Sequence, residues 1–493
     1  MNVPLILILF LPSVNASTFY VSTNGNDKNN GRISFPWRTV VHAWENSGGG
    51  DTVFVRQGTY TEHEMWLHMN TQGNGIENQM WTLSSYPGEK ARFTNAKFVI
   101  DDNYVRIQGL LLDGDESSGC SWMYVRCTEG IREHVEILNN IFTGKQTIPV
   151  LFFIANNSLV QGNTVNITNG STSHGIYIMH GNKNIIRNNY ITGMKKYGIH
   201  VYDENKYNHY AAITNYLIEN NIVIGSQSKS GIIVSSGADP PGGITIDSVT
   251  IRNNLIFNNN GYGIYIRYGG KNKNIEIYNN TIFNNDGGIY INGNIADSII
   301  VHNNIFVSNG SHNINAINVN TLTVSHNLYW KPSLVGRGAT DDCGIYKDPL
   351  FLNINEGDFR LQADSPAIDA GVDLGFPYIG IAPDIGAFEY NLPESVELCL
   401  FEALLKGNTV QLNWQTTSEA NNIGFEVERG LNMMSFEKIG FVKDYDASTM
   451  SQSYRFLDKN VKEGKYFYRI KQLNMDGSFK YSTIIKIKVN VPD

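Results

Sequence analysis

The chain has few cysteines. Its 493 residues include only four, namely Cys120, Cys127, Cys343 and Cys399. Four scattered cysteines are too few for the disulfide framework of a small secreted domain, and no pair of them has the spacing of a zinc site. The sequence therefore predicts neither a disulfide scaffold nor a zinc-stabilised fold. A single bridge between Cys120 and Cys127 stays open as an alternative to two separate thiols.

Long hydrophobic runs are also missing. The most apolar stretch, from Val3 to Leu11, is shorter than the ~20 residues that cross a bilayer, so no membrane span is expected. The small residue that ends Val14-Asn15-Ala16 is typical of a secretory cleavage site, although no Lys or Arg precedes the apolar run. We therefore interpret residues 1–16 as a signal peptide and expect the protein to be secreted or held at the cell surface.

Charged residues are scarce, and acids outnumber bases by 46 to 38. They form 17% of the chain, and the formal net charge is −8. Against this background, the segment from Lys183 to Lys273 holds ten Lys and Arg but only five acids. A positive segment in an acidic exported protein favours an anionic ligand other than nucleic acid. Dispersed lysines on solvated turns are the alternative.

Helical periodicity is absent from the middle of the chain, where two β-type repeats stand instead. An Asn-Asn step followed by an apolar alternation returns every 23 to 33 residues. The copies begin at Asn139, Gly162, Asn188, Asn220, Asn253, Asn279, Asn303 and His326. A Gly-Ile-x-Ile element keeps phase with them, and it begins at Gly175, Gly198, Gly231, Gly263 and Gly288.

Two phased repeats of this length indicate a solenoid whose coils are built from short strands. Asn side chains in equivalent turns can hydrogen-bond to their counterparts one coil away, which explains the recurring Asn. The sequence therefore predicts an all-β protein with a parallel β-helix.

Flanking motifs make the prediction more specific. The N-terminal part carries a Tyr-Val-Ser-x-x-Gly-x-Asp start from Tyr20, then Gly50-Asp51-Thr52-Val53 and Gly58-Thr59-Tyr60. The far end carries Asp348-Pro349-Leu350-Phe351, Ser365-Pro366-Ala367-Ile368-Asp369 and Asp384-Ile385-Gly386-Ala387-Phe388-Glu389. Over residues 17–390 the chain resembles the secreted pectate-lyase-like right-handed parallel β-helix proteins. Such motifs specify a fold more strongly than a reaction.

After a short linker at residues 391–397, the composition changes to alternating strands and turns without Asn-Asn steps. Residues 398–493 resemble the fibronectin-type-III-like β-sandwich found near the C-terminus of enzymes exported by type IX secretion. Proteins exported by that route usually carry a sorting tail after this module. No cluster of His, Cys or paired acids stands in this stretch, so we expect a spacer or attachment domain.

Chemistry in a β-helix must come from outward positions of one strand face and from the loops beside it. If Ile176 and Ile178 point inward, the repeats align two outward columns. The first contains Tyr177, His200, Ile233, Tyr265 and Tyr290, and the second contains Met179, Tyr202, Ser235, Arg267 and Asn292. A one-residue slip would turn His200 inward.

These columns hold the groups that β-elimination of a uronate polysaccharide requires. Arg267 would stabilise the enolate-like carboxylate, His200 would accept the C5 proton, and Tyr202 or Tyr265 would protonate the leaving oxygen. A nearby guanidinium is expected to lower a tyrosine pKa. Tyr177, His180, Lys206, Lys271 and Tyr290 are the predicted substrate-binding residues. His174 and His180 compete with His200 as the base, and ordinary cross-strand packing of these rings is the plain alternative.

Two coils carry extra residues just after this strand, from Asp203 to Tyr210 and from Ser236 to Gly243. Insertions in a solenoid usually decorate its binding face, with neutral loop growth as the alternative. Asp203, Glu204 and Asp239 in these loops could bind calcium, and no other cofactor is expected.

The leading prediction is an exported, monomeric polysaccharide lyase that acts on an acidic polysaccharide. One alternative is a glycoside hydrolase that pairs Asp203 or Glu204 with Asp239. Another is a non-catalytic carbohydrate-binding or adhesive β-helix that uses the tyrosine column. The Asn-Thr-Asp and Asp-Asp elements of polygalacturonase-like hydrolases, the Asp-Pro-His-Asp of uronan epimerases, and the Asn-Asp-Gly-Phe element of family-nine pectate lyases are not found at the expected places.

Overall fold

The computed structural model describes residues 16–489 with internal gaps. The gaps are 63, 69–74, 76–78, 116–121, 127–129, 146–147, 153–154, 168–173, 204–212, 237–243, 268–270, 333–334, 391–397, 417–421, 432–435, 444–451 and 475–478. Glu204, Lys206, Asp239, Cys120 and Cys127 fall in these gaps. The side chains of Asp203, Lys271 and Cys399 also lie outside the described part. The chain divides into two compact units between Tyr390 and Asn391.

The first unit is a parallel β-helix with three faces. Face 1 includes the five Gly-Ile-x-Ile strands. It comprises Glu64–His68, Lys97–Asp101, Met123–Val125, Val150–Phe152, Ile176–Ile178, Ile199–Asp203, Ile232–Ser236, Tyr262–Arg267, the first half of Gly287–His302, Ile314–Val319 and Gly336–Arg337. Face 2 comprises Thr18–Val21, Thr52–Val55, Trp81–Ser85, Val105–Gln108, Val135–Leu138, Leu159–Gln161, Ile185–Arg187, Ile213–Glu219, Ile244–Arg252, Lys271–Tyr278, the second half of Gly287–His302 and Leu322–Ser325. Face 3 comprises Gly58–Tyr60, Ala91–Thr94, Leu111–Asp115, Ile141–Lys145, Thr164–Ile167, Tyr190–Thr192, Ile222–Ile224, Leu255–Phe257, Thr281–Phe283, Ile305–Val307 and Leu328–Trp330.

Alternation of apolar residues sets the register of every coil. Ile176, Ile178, Ile199 and Val201 point inward with no exposed surface, and they stack on their counterparts in the next coil. Because side chains in a strand alternate between faces, the residues between them must point outward. The prediction of inward Ile176 and Ile178 is confirmed.

The second Asn of each Asn-Asn step forms a buried ladder through the turn between faces 2 and 3. From Asn163 onward, each Asn side-chain Oδ1 accepts a hydrogen bond from the amide Nδ2 of the preceding coil at 2.9–3.2 Å. The members are Asn140, Asn163, Asn189, Asn221, Asn254, Asn280, Asn304 and Asn327, and the Asp341 carboxylate closes the series. The predicted stacking of Asn side chains is confirmed.

The first Asn of each step determines the backbone conformation of the corner. Asn188, Asn220 and Asn253 adopt left-handed backbone with φ of 56°, 55° and 54°. Asn tolerates this conformation better than other residues with a Cβ, and Gly162 occupies the same place in one coil with φ of 68°. The Asn-Asn pair therefore makes the corner and ties it to the next coil.

Additional segments pack near the N-terminal end of the solenoid and on the outer side of face 3. The helix Val40–Glu45 packs Trp44 against Trp81 at 4.7 Å near the N-terminal end. After the last coil, the strands Phe351–Asn353 and Asp358–Leu361 flank the 3-10 helix Ile354–Glu356. Phe359 from this terminal segment contacts Phe257 and Phe283 of face 3 at 5.0 and 5.2 Å. A small parallel pair, Arg132–Glu133 with Ala155–Asn156, lies outside the three faces.

The second unit is a small antiparallel β-sandwich. One sheet contains Leu398–Lys406, Thr409–Thr416 and Gln452–Asp458, and the other contains Asn422–Gly430, Glu437–Lys443, Gly464–Asn474, Phe479–Tyr481 and Ile485–Val489. Trp414, Phe425 and Tyr454 meet in its core at ring separations of 4.8 to 5.7 Å. The predicted fold class, a β-helix followed by a sandwich, is confirmed.

Among the described residues, no helix has both the length and the apolar character that a membrane crossing requires.

Candidate functional site

Face 1 aligns the two predicted columns. In the first, Tyr177 pairs with His200, His200 with Ile233, Ile233 with Tyr265, and Tyr265 with Tyr290. In the second, Tyr202, Ser235, Arg267 and Asn292 are consecutive partners. Tyr202 and Arg267 thus stand two strand spacings apart, roughly 10 Å. The register of these pairs is confirmed, but Met179, which the sequence predicts to begin the second column at the surface, is buried, as are Ile233 and Ser235. The roles of the column residues stay predictions.

His200 lies at the centre of a cluster of five aromatic rings. Its ring stacks on Tyr177 at 4.4 Å with an interplanar angle of 7° and on His174 at 5.0 Å. Tyr197 and Tyr202 lie 4.8 and 5.4 Å from it. The Nδ1 atom of His200 is buried and has no hydrogen-bond partner among the described residues. Since buried polar atoms are usually paired, such an atom calls for a functional explanation.

Burial keeps both histidines of this cluster neutral. Burial, followed by the charge of Lys196, lowers the pKa of His174 from 6.5 to about 4. Burial also lowers the pKa of His200 well below its usual range, and His174, Lys196 and Arg267 add to that effect. A neutral imidazole has a lone pair on one ring nitrogen, which is the form of His200 that can act as a proton acceptor.

The tyrosines further along the column form a second cluster. Tyr290 stacks on Tyr262 at 4.8 Å and on Tyr265 at 4.9 Å. Burial raises the pKa of Tyr265, although Arg267 acts in the opposite direction. The expectation that the pKa of Tyr265 lies below its usual value is therefore wrong, because the loss of hydration outweighs the lowering effect of the Arg267 charge. Tyr265 stays protonated and is suited to donate a proton.

The positive segment is divided between two faces. Arg252 pairs with Glu219 at 2.7 Å, Arg187 lies 3.8 Å from the same carboxylate, and Lys273 pairs with Asp247 at 3.2 Å. These residues belong to the strands of face 2. Lys196 and Arg267 are the cations whose charge reaches His200 on face 1. The segment is thus not one patch, and only part of its charge acts on the candidate site.

The sequence predicts that His180 binds substrate at the surface, but the structure buries it. It is 2% exposed, and its carbonyl oxygen accepts a hydrogen bond from Tyr216 at 3.1 Å. A residue buried in this way cannot contact a polymer on the outer face, so this prediction is wrong for the conformation described. No group of three or more His, Cys, Asp or Glu that could hold a metal occurs among the described residues. Asp203, Glu204 and Asp239 lie outside them as side chains, as do Lys206 and Lys271.

Sequence reasoning missed Tyr197 and Lys196. Both precede the Gly198-Ile199 strand, at the turn that leads from face 3 into face 1. Their proximity to His200 depends on how that turn folds over the strand, which the alternation pattern does not encode. The run Lys195-Lys196-Tyr197, just before a Gly-Ile-x-Ile element, is the sequence feature that could have indicated these two residues.

Comparisons with known proteins agree with this architecture. A family model described as a right-handed β-helix region matches residues 93–247 and 210–348, and a Pel9A-like right-handed β-helix model matches residues 19–161. A curated relative, the uncharacterized protein YwoF of Bacillus subtilis (strain 168), is 27% identical over 71% of this chain and 91% of its own.

One solved structure shows the same fold, and a second is reported for comparison. Pectate lyase Pel9A superposes with a TM-score of 0.58 at 18% identity, covering 77% of this chain and 98% of its own. A rhamnogalacturonan lyase gives a TM-score of 0.46 at 16% identity, covering 69% of this chain and 92% of its own. At these identities the likeness concerns the fold. Because the general family model matches more than half of the chain, the protein belongs to the family of right-handed β-helix proteins.

Proposed function

We propose that the protein is a polysaccharide lyase that cleaves an acidic, uronate-containing polysaccharide by β-elimination on face 1. The main support is the arrangement around His200. Its neutral ring lies 5.4 Å from the Tyr202 ring, and the charge of the Arg267 guanidinium contributes to its lowered pKa. A base that needs no prior deprotonation, a phenol and a fixed cation are the three groups that the reaction uses. That pectate lyase Pel9A shares the fold is consistent with carbohydrate chemistry on this face.

The reaction assigns one role to each group. Arg267 pairs with the carboxylate on C5 and stabilises the negative charge that spreads onto it. His200 takes the C5 proton, the C4–O bond breaks, and the C4=C5 double bond forms. The glycosidic oxygen leaves with a proton from Tyr202 or Tyr265. The products are a new reducing end and an unsaturated uronate.

Variants of these residues test the proposal. We expect His200→Asn, which keeps a planar polar side chain, to lower turnover at least ~100-fold because the general base is lost. Tyr202→Phe and Arg267→Met should also lower it, whereas Arg360→Gln removes a charge from the terminal segment and should leave it unchanged. The measurement is ultraviolet absorbance of the unsaturated product. Full activity of His200→Asn would contradict the assignment.

A non-catalytic carbohydrate-binding role is the second candidate. The stacked Tyr262, Tyr265 and Tyr290 offer aromatic surface on the same face, and sugar rings commonly bind to such surfaces through their apolar C–H faces. Affinity that survives replacement of both His200 and Arg267, with no product formed, would favour this role. The hydrolase alternative depends on Asp203, Glu204 and Asp239, and new reducing ends without absorbance would favour it.

We further propose that the protein is exported and acts as a monomer at or beyond the cell surface, with the sandwich as a spacer or attachment domain resembling a fibronectin-type-III module. The apolar run before Ala16 supports export. Recovery of the chain, shortened by its first residues, from the outside of producing cells would test this part of the proposal.

A further inference from the structure

A second group of outward side chains lies on the early strands of face 1. Trp66 and His68 belong to the strand Glu64–His68, and their rings stack at 4.9 Å with an interplanar angle of 19°. The Arg126 guanidinium lies over the Trp66 ring at 5.3 Å. We call Trp66, His68 and Arg126 the Trp66 cluster.

A buried ion pair holds this cluster in place. His68 Nδ1 lies 3.2 Å from Asp101 Oδ2, and Arg132 binds Asp101 Oδ1 at 2.7 Å. Asp101 and Arg132 are 2% and 4% exposed, whereas His68 is 52% exposed. The Arg132 Nε also donates to the Arg126 carbonyl at 3.3 Å. Since a buried carboxylate fixes one ring nitrogen, Nε2 of His68 is left directed away from the pair.

Arg126 is the cation of the cluster without an acidic partner. No carboxylate of the described residues forms an ion pair with it, whereas nearby Lys97 pairs with Glu64 at 3.0 Å. An arginine stacked on an indole keeps its N–H edge available, and that edge matches a carboxylate bidentately. The fixed aromatic surface beside it suits a sugar ring.

The cluster is aligned with the candidate site along the solenoid. The strand before Arg126, Met123–Val125, lies three pairing steps from the His200 strand, and the Trp66 strand lies five steps away. At one strand spacing per step these separations are roughly 14 and 24 Å. A pyranose unit advances a chain by about one strand spacing, so an extended polysaccharide along face 1 would reach both places.

We propose that the Trp66 cluster is a distal binding site for an acidic sugar residue of the same chain that is cleaved at His200. The sugar ring stacks on Trp66, its carboxylate binds Arg126, and His68 Nε2 contacts a hydroxyl or the anionic group. The inference rests on the proposed function, since it takes the ligand to be an acidic polysaccharide. It adds that the protein holds several consecutive residues and therefore favours long chains.

Binding measured separately from turnover tests this site. Isothermal titration of the full chain would use short and long oligomers, about four and ten sugar units, of polygalacturonate and of alginate, because only the longer ones can span the roughly 24 Å between the two places. We expect long oligomers to bind more tightly than short ones. Arg126→Gln and His68→Asn should each reduce that advantage about tenfold, whereas Arg360→Gln, which also removes one positive charge, should not. A fully methyl-esterified polygalacturonate should lose the contribution of Arg126.

Each outcome is decisive. Equal affinity of wild type and both variants for the long oligomers would overturn the proposal, as would failure of the wild type to bind either polymer. Unchanged thermal melting of the variants excludes misfolding as the cause of any loss. If Arg126→Gln weakens binding but the wild type forms no unsaturated product, the distal site stands and the lyase assignment fails. If His200→Asn abolishes turnover while Arg126→Gln binds normally, the lyase assignment stands and the distal site fails.

Discussion

Asn254 shows at the residue scale how one side chain serves two coils. Its Oδ1 accepts the backbone N–H of Asn221 at 2.9 Å and the Asn221 Nδ2 at 3.0 Å. Its own Nδ2 donates to the carbonyl of Ile218 and to Asn280 Oδ1. Because all these groups are buried, each would stay unpaired without its partner. The ladder is therefore a continuous structural requirement of the solenoid.

Replacing Asn254 by Ala should lower the free energy of unfolding by about 3 kcal/mol, since it leaves several buried polar groups without partners. The neighbouring Asn253 provides a matched control, because its φ of 54° suits glycine. Asn253→Gly should change stability by less than about 1 kcal/mol. Chemical denaturation of the β-helix unit measures both. Equal effects of the two variants would show that the ladder does not carry the stability assigned to it.

At the element scale, the terminal segment after the last coil contains a titrating carboxyl. Burial, with the nearby charge of Asp384, raises the pKa of Glu389 from 4.5 to about 7. The carboxyl accepts hydrogen bonds from the backbone of Ile379 and Asp384 at 3.3 and 3.2 Å. In the same segment Phe376 packs against Tyr278 at 5.3 Å and under Arg252 at 4.3 Å. The protonation state of Glu389 therefore bears on how well this segment is anchored.

Glu389 should make the segment less stable as the pH rises. The pKa of Glu389 is higher in the folded than in the unfolded chain. Its contribution to the free energy of unfolding is therefore complete below about pH 4.5 and is lost as the pH passes 7, a change of about 1–3 kcal/mol. Glu389→Gln stays uncharged and should remove this dependence. Hydrogen exchange of residues 372–390 at pH 5 and pH 8 measures it, and the difference between wild type and variant isolates Glu389 from Glu62, whose pKa burial also raises to about 7. An identical pH response of both proteins would refute the assignment.

The sequence predicts which side chains of a strand point outward, but not the contacts between neighbouring coils. Apolar alternation predicts which of Tyr177, Ile176 and His200 point outward, because the strand period leaves two choices and the core selects one. The pairing of Arg252 with Glu219 and the contact of Tyr197 with His200 depend on coil length and turn shape. Nor does the pattern indicate that Asp101 is the buried partner of His68 and Arg132. Lateral contacts between coils are thus the part that the pattern leaves open.

Across the whole β-helix, the strands of face 1 place their outward side chains at regular intervals along the solenoid. Strands on face 1 repeat at a constant spacing, so the Trp66 cluster, the His200 cluster and the stacked tyrosines near Tyr290 lie in line. A linear polymer is the ligand whose shape suits such an arrangement. The net charge of the chain is −8, but cations stand on or beside this face at Arg126, Lys196 and Arg267. These cations favour a polymer that carries anionic groups at intervals.

The most direct test of the central claim is the product formed from acidic polysaccharides by the full-length protein. Polygalacturonate, alginate, ulvan and glycosaminoglycans would be incubated with it, with and without chelator, while ultraviolet absorbance and reducing ends are followed together. The account predicts that both signals rise in parallel on at least one polymer, since each elimination forms one unsaturated uronate and one reducing end. Reducing ends without absorbance, or neither signal on any polymer, would contradict it.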